Sequence, residues 1–430
     1  MRNRVRVQQI DGNFDIAWIG FRKMAVQKFG LRIDQNDPCG GIVKLSGDRP
    51  PKIARSTGDD NGLIFKIQFG FSQSRPIVYR QFTVRGKMQL TLFINTEHKP
   101  GDALDQRFAE HIEQVKIARQ AGFDGIAVGN HLSFGSTAWF PPIETLIGLA
   151  GEARGMSLAT CMLVLPLFHP LHVAQQAALL DIVSGGKAIL GVAPGWTADE
   201  FRVMQLDHGR RFSRYAESVE LIQRLWTEQR VDYSGKHFQA DELALSLKPL
   251  QQPRPPMWYG GSVTASVARA ARLADTALGD SWVASSHLVG SVITEQAAVF
   301  CDTLAGLGKP MPAEFPLLRN VVVGLDRATA LRDAGPFIAA SYQVFGKWGL
   351  FTDVVGSGKP QLDLDELIDG RVILGSPEEC ADELVRLAQA TGFTRLVARV
   401  HWLGMDQRQV LRTIELLAGH VLPLIEKELA

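Results

Sequence analysis

From residue 88 onward the chain repeats one device, in which an amphipathic helical stretch ends at or near a glycine and an apolar, β-rich run follows. VKIARQAGFDGIAVG (115–129) and LVRLAQATGFTRLVARV (384–400) are near echoes of each other, and LAGEARGMSLATCMLVLP and LLDIVSGGKAILGV repeat the pattern with other residues. Apolar runs predict strands near 89–95, 123–128, 157–165, 188–193, 256–261, 275–279, 317–325 and 395–401, with helical periodicity between them. Eight strands joined by crossover helices predict an α/β fold of the (β/α)8 TIM barrel type with insertions; a doubly wound open sheet is the alternative.

Residues 1–87 lack that rhythm. Short apolar runs alternate there with turn-rich pieces such as DQNDPCGG, SGDRPPK and STGDDNG, without sustained period 2 or 3.6. Three readings stand side by side: a small β-rich appendage, a largely disordered tail, or sequence outside a native chain that starts at Met88. The last rests on MQLTLFIN (88–95), which reads at once as a buried first strand. The expected division is an atypical N-terminal extension over 1–87 and a barrel over 88–430. Between the last two predicted strands, 343–370 carries KWGLF, a GSGKP turn and an acidic LDLDELIDG. An insertion at that place suits a lid that excludes water or a solvated surface loop.

Composition narrows the function classes. With 46% hydrophobic and 21% charged residues over 430 positions, there is ample material for a large core. Lys plus Arg at 46 against Asp plus Glu at 45 leaves a net charge of +1, which provides no electrostatic footprint for nucleic acid or an acidic membrane and points to a small ligand. Cys39, Cys161, Cys301 and Cys380 lie far apart, without a CxxC pair or metal-ligand spacing, and are read as reduced in a cytoplasmic protein that holds no metal. No apolar signal segment follows Arg2, Arg4 and Arg6. The most apolar run, Leu158 to Phe168, is broken by Thr160 and Pro166 and is too short to span a bilayer.

In either architecture ligands bind at the C-terminal ends of the strands, which turns those ends into a list of candidates. His131, next to Asn130, suits a proton donor or acceptor, or an ordinary loop histidine bonded to backbone. Tyr259-Gly260-Gly261-Ser262-Val263-Thr264 joins a strand to a helix. Its glycines let backbone approach closely, and Ser262, Thr264 and the helix N–H groups make an anion site, although simple N-capping by Ser262 would use the same residues. Arg210, Arg211 and Arg214 either neutralise a phosphate or acidic substrate, or join helix-start ion pairs such as Arg214 with Glu217. No GxSxG, Walker loop or HExxH follows residue 87, so the chemistry is expected of a cofactor.

Three stretches in order, LPLFHPLHVAQQAALLDIVSGGKAILGVAPGWTADEF, RRFSRYAESVELIQRLWTEQRVDYSGKHF and PRPPMWYGGSVTASVARAARLADTALGDSW, together with GSPEECADELVRLAQATGFTRLVARVHWLG, resemble the bacterial luciferase-like flavin monooxygenase superfamily over about residues 88–430. The resemblance implies a (β/α)8 barrel that binds reduced FMN, or F420 in a sister branch, at the strand ends, and it implies O2 activation as a flavin C4a-peroxide. It makes His131 the catalytic histidine and places the cofactor phosphate at Ser262, Thr264 and the Gly261 backbone. It implies a non-proline cis peptide at Cys161–Met162 against the flavin ring, where a plain buried strand is the other reading. Gly260, Trp282 and the turn Ala193-Pro194-Gly195-Trp196 complete the pocket wall. Luciferases carry Cys-Arg where this chain has Ala193-Pro194, which argues against a light-emitting enzyme. The resemblance implies oxygenation of a small organic substrate with FMNH2 delivered by a separate NAD(P)H:flavin reductase, and the absence of a GxGxxG unit fits borrowed reducing equivalents. The substrate is expected to be largely apolar, given Trp139, Phe140, Phe168, Trp196, Trp282, Trp348 and Trp402. A homo-oligomer, dimer or tetramer, is expected. An F420-dependent hydride-transfer oxidoreductase and a non-catalytic flavin-binding protein are the alternatives.

Overall fold

The tertiary structure is a computed structural model that describes residues 87–129, 131–132, 137–347 and 364–429, with the two-residue strands Arg32–Ile33 and Val43–Lys44. The chain divides into two units, Met1–Val78 and Tyr79–Ala430. In the first, Arg32–Ile33 pairs antiparallel with Val43–Lys44. The predicted lid falls mostly on 348–363, outside the described residues.

In the second unit the sheet strands are β1 (Gln89–Ile94), β2 (Gly125–Val128), β3 (Ser157–Thr160), β4 (Ala188–Ala193), β5 (Met257–Gly260), β6 (Ser281–Val283), β7 (Pro316–Val323), β8 (Val372–Gly375) and β9 (Arg395–Arg399). They alternate with α1 (Leu104–Ala121), α2 (Pro142–Leu149), α3 (Pro170–Val183), α4 (Ala198–Val203), α5 (Arg211–Thr227), α6 (Thr264–Leu273), α7 (Gly290–Gly306), α8 (Arg327–Lys347), α9 (Leu364–Ile368), α10 (Pro377–Thr391), α11 (Gln407–Leu416) and α12 (Leu422–Leu429). The two sequence echoes become the same local structure. α1 ends at Gly122 in the left-handed region (φ 93°) and α10 at Gly392 (φ 79°), and each turn feeds a buried strand, β2 or β9. α10 also starts on a capping box, in which Ser376 Oγ accepts from Glu379 N and the Glu379 carboxylate accepts from Ser376 N.

The sheet order is β6-β5-β4-β3-β2-β1-β9-β7-β8, parallel throughout, and the short strand Leu163–Val164 pairs alongside β4. A parallel bridge between Ala284, just after β6, and Leu317 in β7 links parts of the sheet that are distant in this order. One apolar cluster packs the helices on the sheet. A second, separate cluster takes Phe93, Ala127, Ala159, Ile189, Trp258, Val283, Leu318 and Val397, one residue from each of eight strands, together with Cys161 and Met162. Alternation along each strand separates these two sets, as it must when both faces are covered.

Two strand expectations are corrected. Residues 276–278 form a 3-10 turn, and the sixth strand begins only at Ser281. The cause is Asp280, fully buried, whose carboxylate accepts from Arg254, Met257 N, Tyr259 Oη and Asp275 N and so folds the apolar run into a turn. β8, paired on β7 from Asn320↔Val372 to Val323↔Gly375, is an additional strand that the apolar runs did not predict. Among the described residues no helix is long and apolar enough to cross a membrane.

Candidate functional site

Small residues build the floor of the site. The β3–β4 ladder stops after Ala159↔Ile189, and pairing resumes on Leu163↔Val192. In the gap Thr160 Oγ1 donates to Gly191 O at 2.7 Å and accepts from Gly191 N at 2.8 Å, so a side chain replaces the missing ladder bonds. The Cys161–Met162 peptide that follows is cis. Met162 then lies across the ends of β4 and β5. A β-carbon placed on Gly191 would stand 3.0 Å from its Cε, and one on Gly260 would stand 3.0 Å from its Cγ and 3.1 Å from Ala193 Cβ. Gly191 and Gly260 are thus positions where a side chain would compete with Met162. Cys161 is buried, and burial pushes its thiol up to about 12, which makes it a packing group and not a nucleophile.

The turn after β4 carries Gly195 at φ 75°, where a β-carbon would meet Val164 Cγ1 at 2.6 Å. This close approach lifts Trp196 outward to 38% exposure. His131, after β2, is faced edge-on by Trp139 at 5.1 Å and by Trp196 at 6.5 Å between ring centroids. Its Nδ1 lies 3.4 Å from Glu200 Oε1. Glu200, in the first turn of α4, is only 1% exposed, and its Oε1 also accepts the Leu132 N–H at 2.7 Å. Sequence reasoning missed Glu200, because an acidic residue in a first helical turn ordinarily serves the helix dipole at the surface.

At the end of β5 the residues do not perform simple capping. α6 has Val263 at its N-cap position and no side-chain cap bond. Gly261 O accepts from Trp282 Nε1 at 2.9 Å and Ser262 O from Gln296 Nε2 at 2.7 Å, so the turn is tied down through its carbonyls. Trp282 itself is 1% exposed and packs against the stacked pair Phe300 and Phe315. Its indole N–H thus anchors the Gly261 carbonyl of the turn. Trp402 is likewise fully buried, and Trp348 lies outside the described residues.

The basic loop divides its charges. Arg210 pairs with Asp207 at 3.3 Å, and Arg214 Nε donates to Pro166 O at 2.8 Å while its guanidinium covers Phe238. Glu217, offered with Ser218 as a partner of Arg214 in the helix-start reading, accepts from Lys236 N and His237 N. Arg211 and Arg269 both lie over the Phe212 ring, at 4.2 and 4.4 Å from its centroid. Among the described residues no carboxylate forms an ion pair with either, and Arg211 Nε is buried without a hydrogen bond. Burial, and next the charge of Arg269, hold Arg211 below the usual guanidinium range. Two such guanidiniums on one ring, with Arg269 on the helix whose N-terminus lacks a side-chain cap, fit an anionic group.

A second polar group backs the ends of β1 and β9. His98 and His111 meet at a tilt with ring centroids 5.4 Å apart, His401 is buried nearby, and Glu97 pairs with Arg399 at 3.3 Å. Burial lowers His98 to about 4 against the opposing charge of Asp102, and burial followed by neighbouring charge lowers both His111 and His401 to about 3. These imidazoles are neutral at pH 7, and no group of three or more His, Cys, Asp or Glu among the described residues is placed to hold a metal ion. A cavity of about 670 Å³ opens at the opposite ends of the strands, among Arg119, Asp124, Arg154, Lys187 and Arg395. It contains none of the strand-end candidates.

Small residues, a cis peptide and the Gly261–Thr264 turn thus gather at the C-terminal end of a parallel α/β sheet. The chain belongs to the luciferase-like monooxygenase family, which it matches over residues 88–395. It is 28% identical to the 4-hydroxyprotoasukamycin monooxygenase of Streptomyces nodosus subsp. asukaensis over 77% of this chain and 90% of that protein. It is 30% identical to the oxygenase component of the flavin-dependent trigonelline monooxygenase of Acinetobacter baylyi, over 40% of this chain and about half, 48%, of that relative. Among solved structures the fold is similar to monooxygenase RslO1 from Streptomyces bottropensis, with a TM-score of 0.69 and 21% identity over 78% of this chain and 99% of that one. It is also similar to the oxygenating constituent of 3,6-diketocamphane monooxygenase from Pseudomonas putida in complex with FMN, with TM-score 0.66 and 18% identity over 79% and 98%. An F420-dependent secondary alcohol dehydrogenase with an F420-acetone adduct gives TM-score 0.63 and 18% identity over 79% and 99%.

Proposed function

We propose that the protein is the oxygenase of a two-component system, using reduced FMN from a separate reductase and O2 to oxygenate a small, largely apolar organic substrate. The observation that carries this reading is the convergence of Met162 with Gly191, Ala193 and Gly260 beside the Gly261–Thr264 turn. A flat ring would rest against Met162 and its glycine floor, and its phosphate would meet Ser262, Thr264 and the first N–H groups of α6. Arg211 and Arg269 supply the positive charge that luciferases take from the arginine absent at Pro194. When bound, reduced flavin supplies the electrons for O2 activation. The chain's own part is to hold the ring, exclude water with Trp139 and Trp196, and hold a proton at His131. Trp139, Phe140, Phe168 and Trp196 are partly exposed and give the substrate side its apolar character.

The same reading takes the sheet as a closed (β/α)8 barrel, supported by the Ala284–Leu317 bridge and by the eight-strand interior cluster. It takes residues 1–87 as an extension to a catalytic unit over 88–430, supported by the start of the family match at residue 88. The second reading, F420-dependent hydride transfer, is favoured by the similarity in fold to the F420-dependent dehydrogenase.

Anaerobic titration of the full chain with reduced FMN and with reduced F420, followed by tryptophan fluorescence, separates the two. Tight FMNH2 and weak F420 binding is expected, with rapid cofactor oxidation once O2 is admitted. Preference for F420 with indifference to O2 would move the protein to the hydride-transfer branch. Binding of neither would remove the site assignment.

A further inference from the structure

We propose that Glu200 is the positioning residue of His131, holding the imidazole in the tautomer that carries its proton on Nδ1 and leaves Nε2 as the acceptor at the site. This deepens the proposed function, since it rests on His131 as the proton-handling group. The two residues come from different βα units: His131 follows β2, and Glu200 lies in α4 after β4. Their contact is therefore made by the tertiary structure and not by local sequence.

Three observations converge on it. A carboxylate that is 1% exposed is costly to bury unless it is hydrogen-bonded or paired. Glu200 meets that cost by accepting from Leu132 N at 2.7 Å, the backbone N–H of the residue next to His131. The same oxygen stands 3.4 Å from His131 Nδ1. One oxygen thus fixes both the loop and the ring that it carries. At 3.4 Å the contact is electrostatic rather than a formed hydrogen bond, and a carboxylate oxygen facing an imidazole nitrogen repels its lone pair and favours its N–H, so the tautomer protonated on Nδ1 is the favoured one. Trp139 and Trp196 meet the ring edge-on and limit its rotation about the side-chain axis, which leaves the carboxylate to choose the tautomer. Second-sphere carboxylates orient histidines in this way in other proton-transfer and metal sites.

Ring 15N spectra of the cofactor-free full chain, labelled at histidine and recorded near pH 9, where an ordinary imidazole is neutral, read the tautomer directly. The His131 signals are identified by their loss in His131→Gln. The wild type is expected to show a protonated Nδ1 and a pyridine-like Nε2. Glu200→Ala is expected to revert to Nε2–H, the form that free histidine prefers, and Glu200→Gln, which keeps a neutral acceptor, is expected to restore Nδ1–H. A wild-type ring protonated on Nε2, or an unchanged spectrum in Glu200→Ala, overturns the proposal, and the wild-type spectrum alone suffices if the alanine variant does not fold.

Turnover keeps the two claims distinguishable. If the tautomer switches and kcat falls by about tenfold or more in Glu200→Ala with cofactor affinity kept, both claims stand. If the tautomer switches and kcat is unchanged, the positioning stands and the catalytic reading of His131 fails.

Discussion

At the scale of single residues, the site depends on side chains that are missing as much as on those present. Gly191 and Gly260 both border Met162, but their other neighbours differ. A β-carbon on Gly191 would run into the Thr160 carbonyl, a backbone atom already committed to β3, whereas on Gly260 it would press on the Met162 and Ala193 side chains. Gly191→Ala should therefore cost about 2 kcal/mol or more in urea unfolding, within the range for overpacking a close-packed interior, and Gly260→Ala clearly less. Equal losses would show that Thr160 is not held where the structure places it. The sequence named Ala193 and Gly260 at strand ends and Met162 only through the cis peptide that the family resemblance implies, and their mutual contact depends on the ladder gap after Ala159, which no local pattern announces.

At the scale of elements, the loop between α6 and β6 turns on one buried ion pair. Arg254 and Asp280 meet at 2.7 Å with side chains 4% and 0% exposed, and Asp280 further accepts from the backbone at both Met257 and Asp275. Asp280→Ala would leave a buried guanidinium unpaired and is expected to lower unfolding stability by about 3–5 kcal/mol in denaturant titration. Replacing both partners with apolar residues should recover part of that loss. An effect under about 1 kcal/mol would show that the pair does not organise the turn. This pair also explains why the sixth strand was misplaced from sequence: ADTALG has strand-like apolar content, but Asp280 draws the chain into a turn through partners more than twenty residues away. β8 escaped notice because Val372–Gly375 is four residues long and follows the stretch read as an insertion.

For the whole molecule, the buried histidines link stability to pH. His98, His111 and His401 come from the end of β1, from α1 and from the end of β9, and in the fold all three protonate well below an ordinary imidazole. A base whose folded pKa is depressed leaves the unfolded chain binding more protons between the two values, so stability is full above about pH 6.5 and is lost as the pH falls toward about 4 for His98 and about 3 for His111 and His401. Each such group costs about 1.4 kcal/mol per pH unit in that window, and three together should lower Tm steeply between pH 7 and pH 5. His401→Gln should flatten the dependence. A Tm indifferent to pH over that range would contradict the burial of these rings.

Sequence alone determined the repeating helix-to-strand unit, the strand-end candidates and the family resemblance, because hydrophobic period, glycine stops and turn chemistry act over a few residues and leave a local trace. Tertiary structure decided which of those residues meet. It set Glu200 against His131, Met162 across the β4 and β5 glycines, Arg211 and Arg269 on one ring, and Trp282 against the Gly261 carbonyl. Each of these contacts joins segments tens of residues apart, and what selects them is the cost of burying charge and of filling space, which is settled only when the whole sheet and its helices assemble.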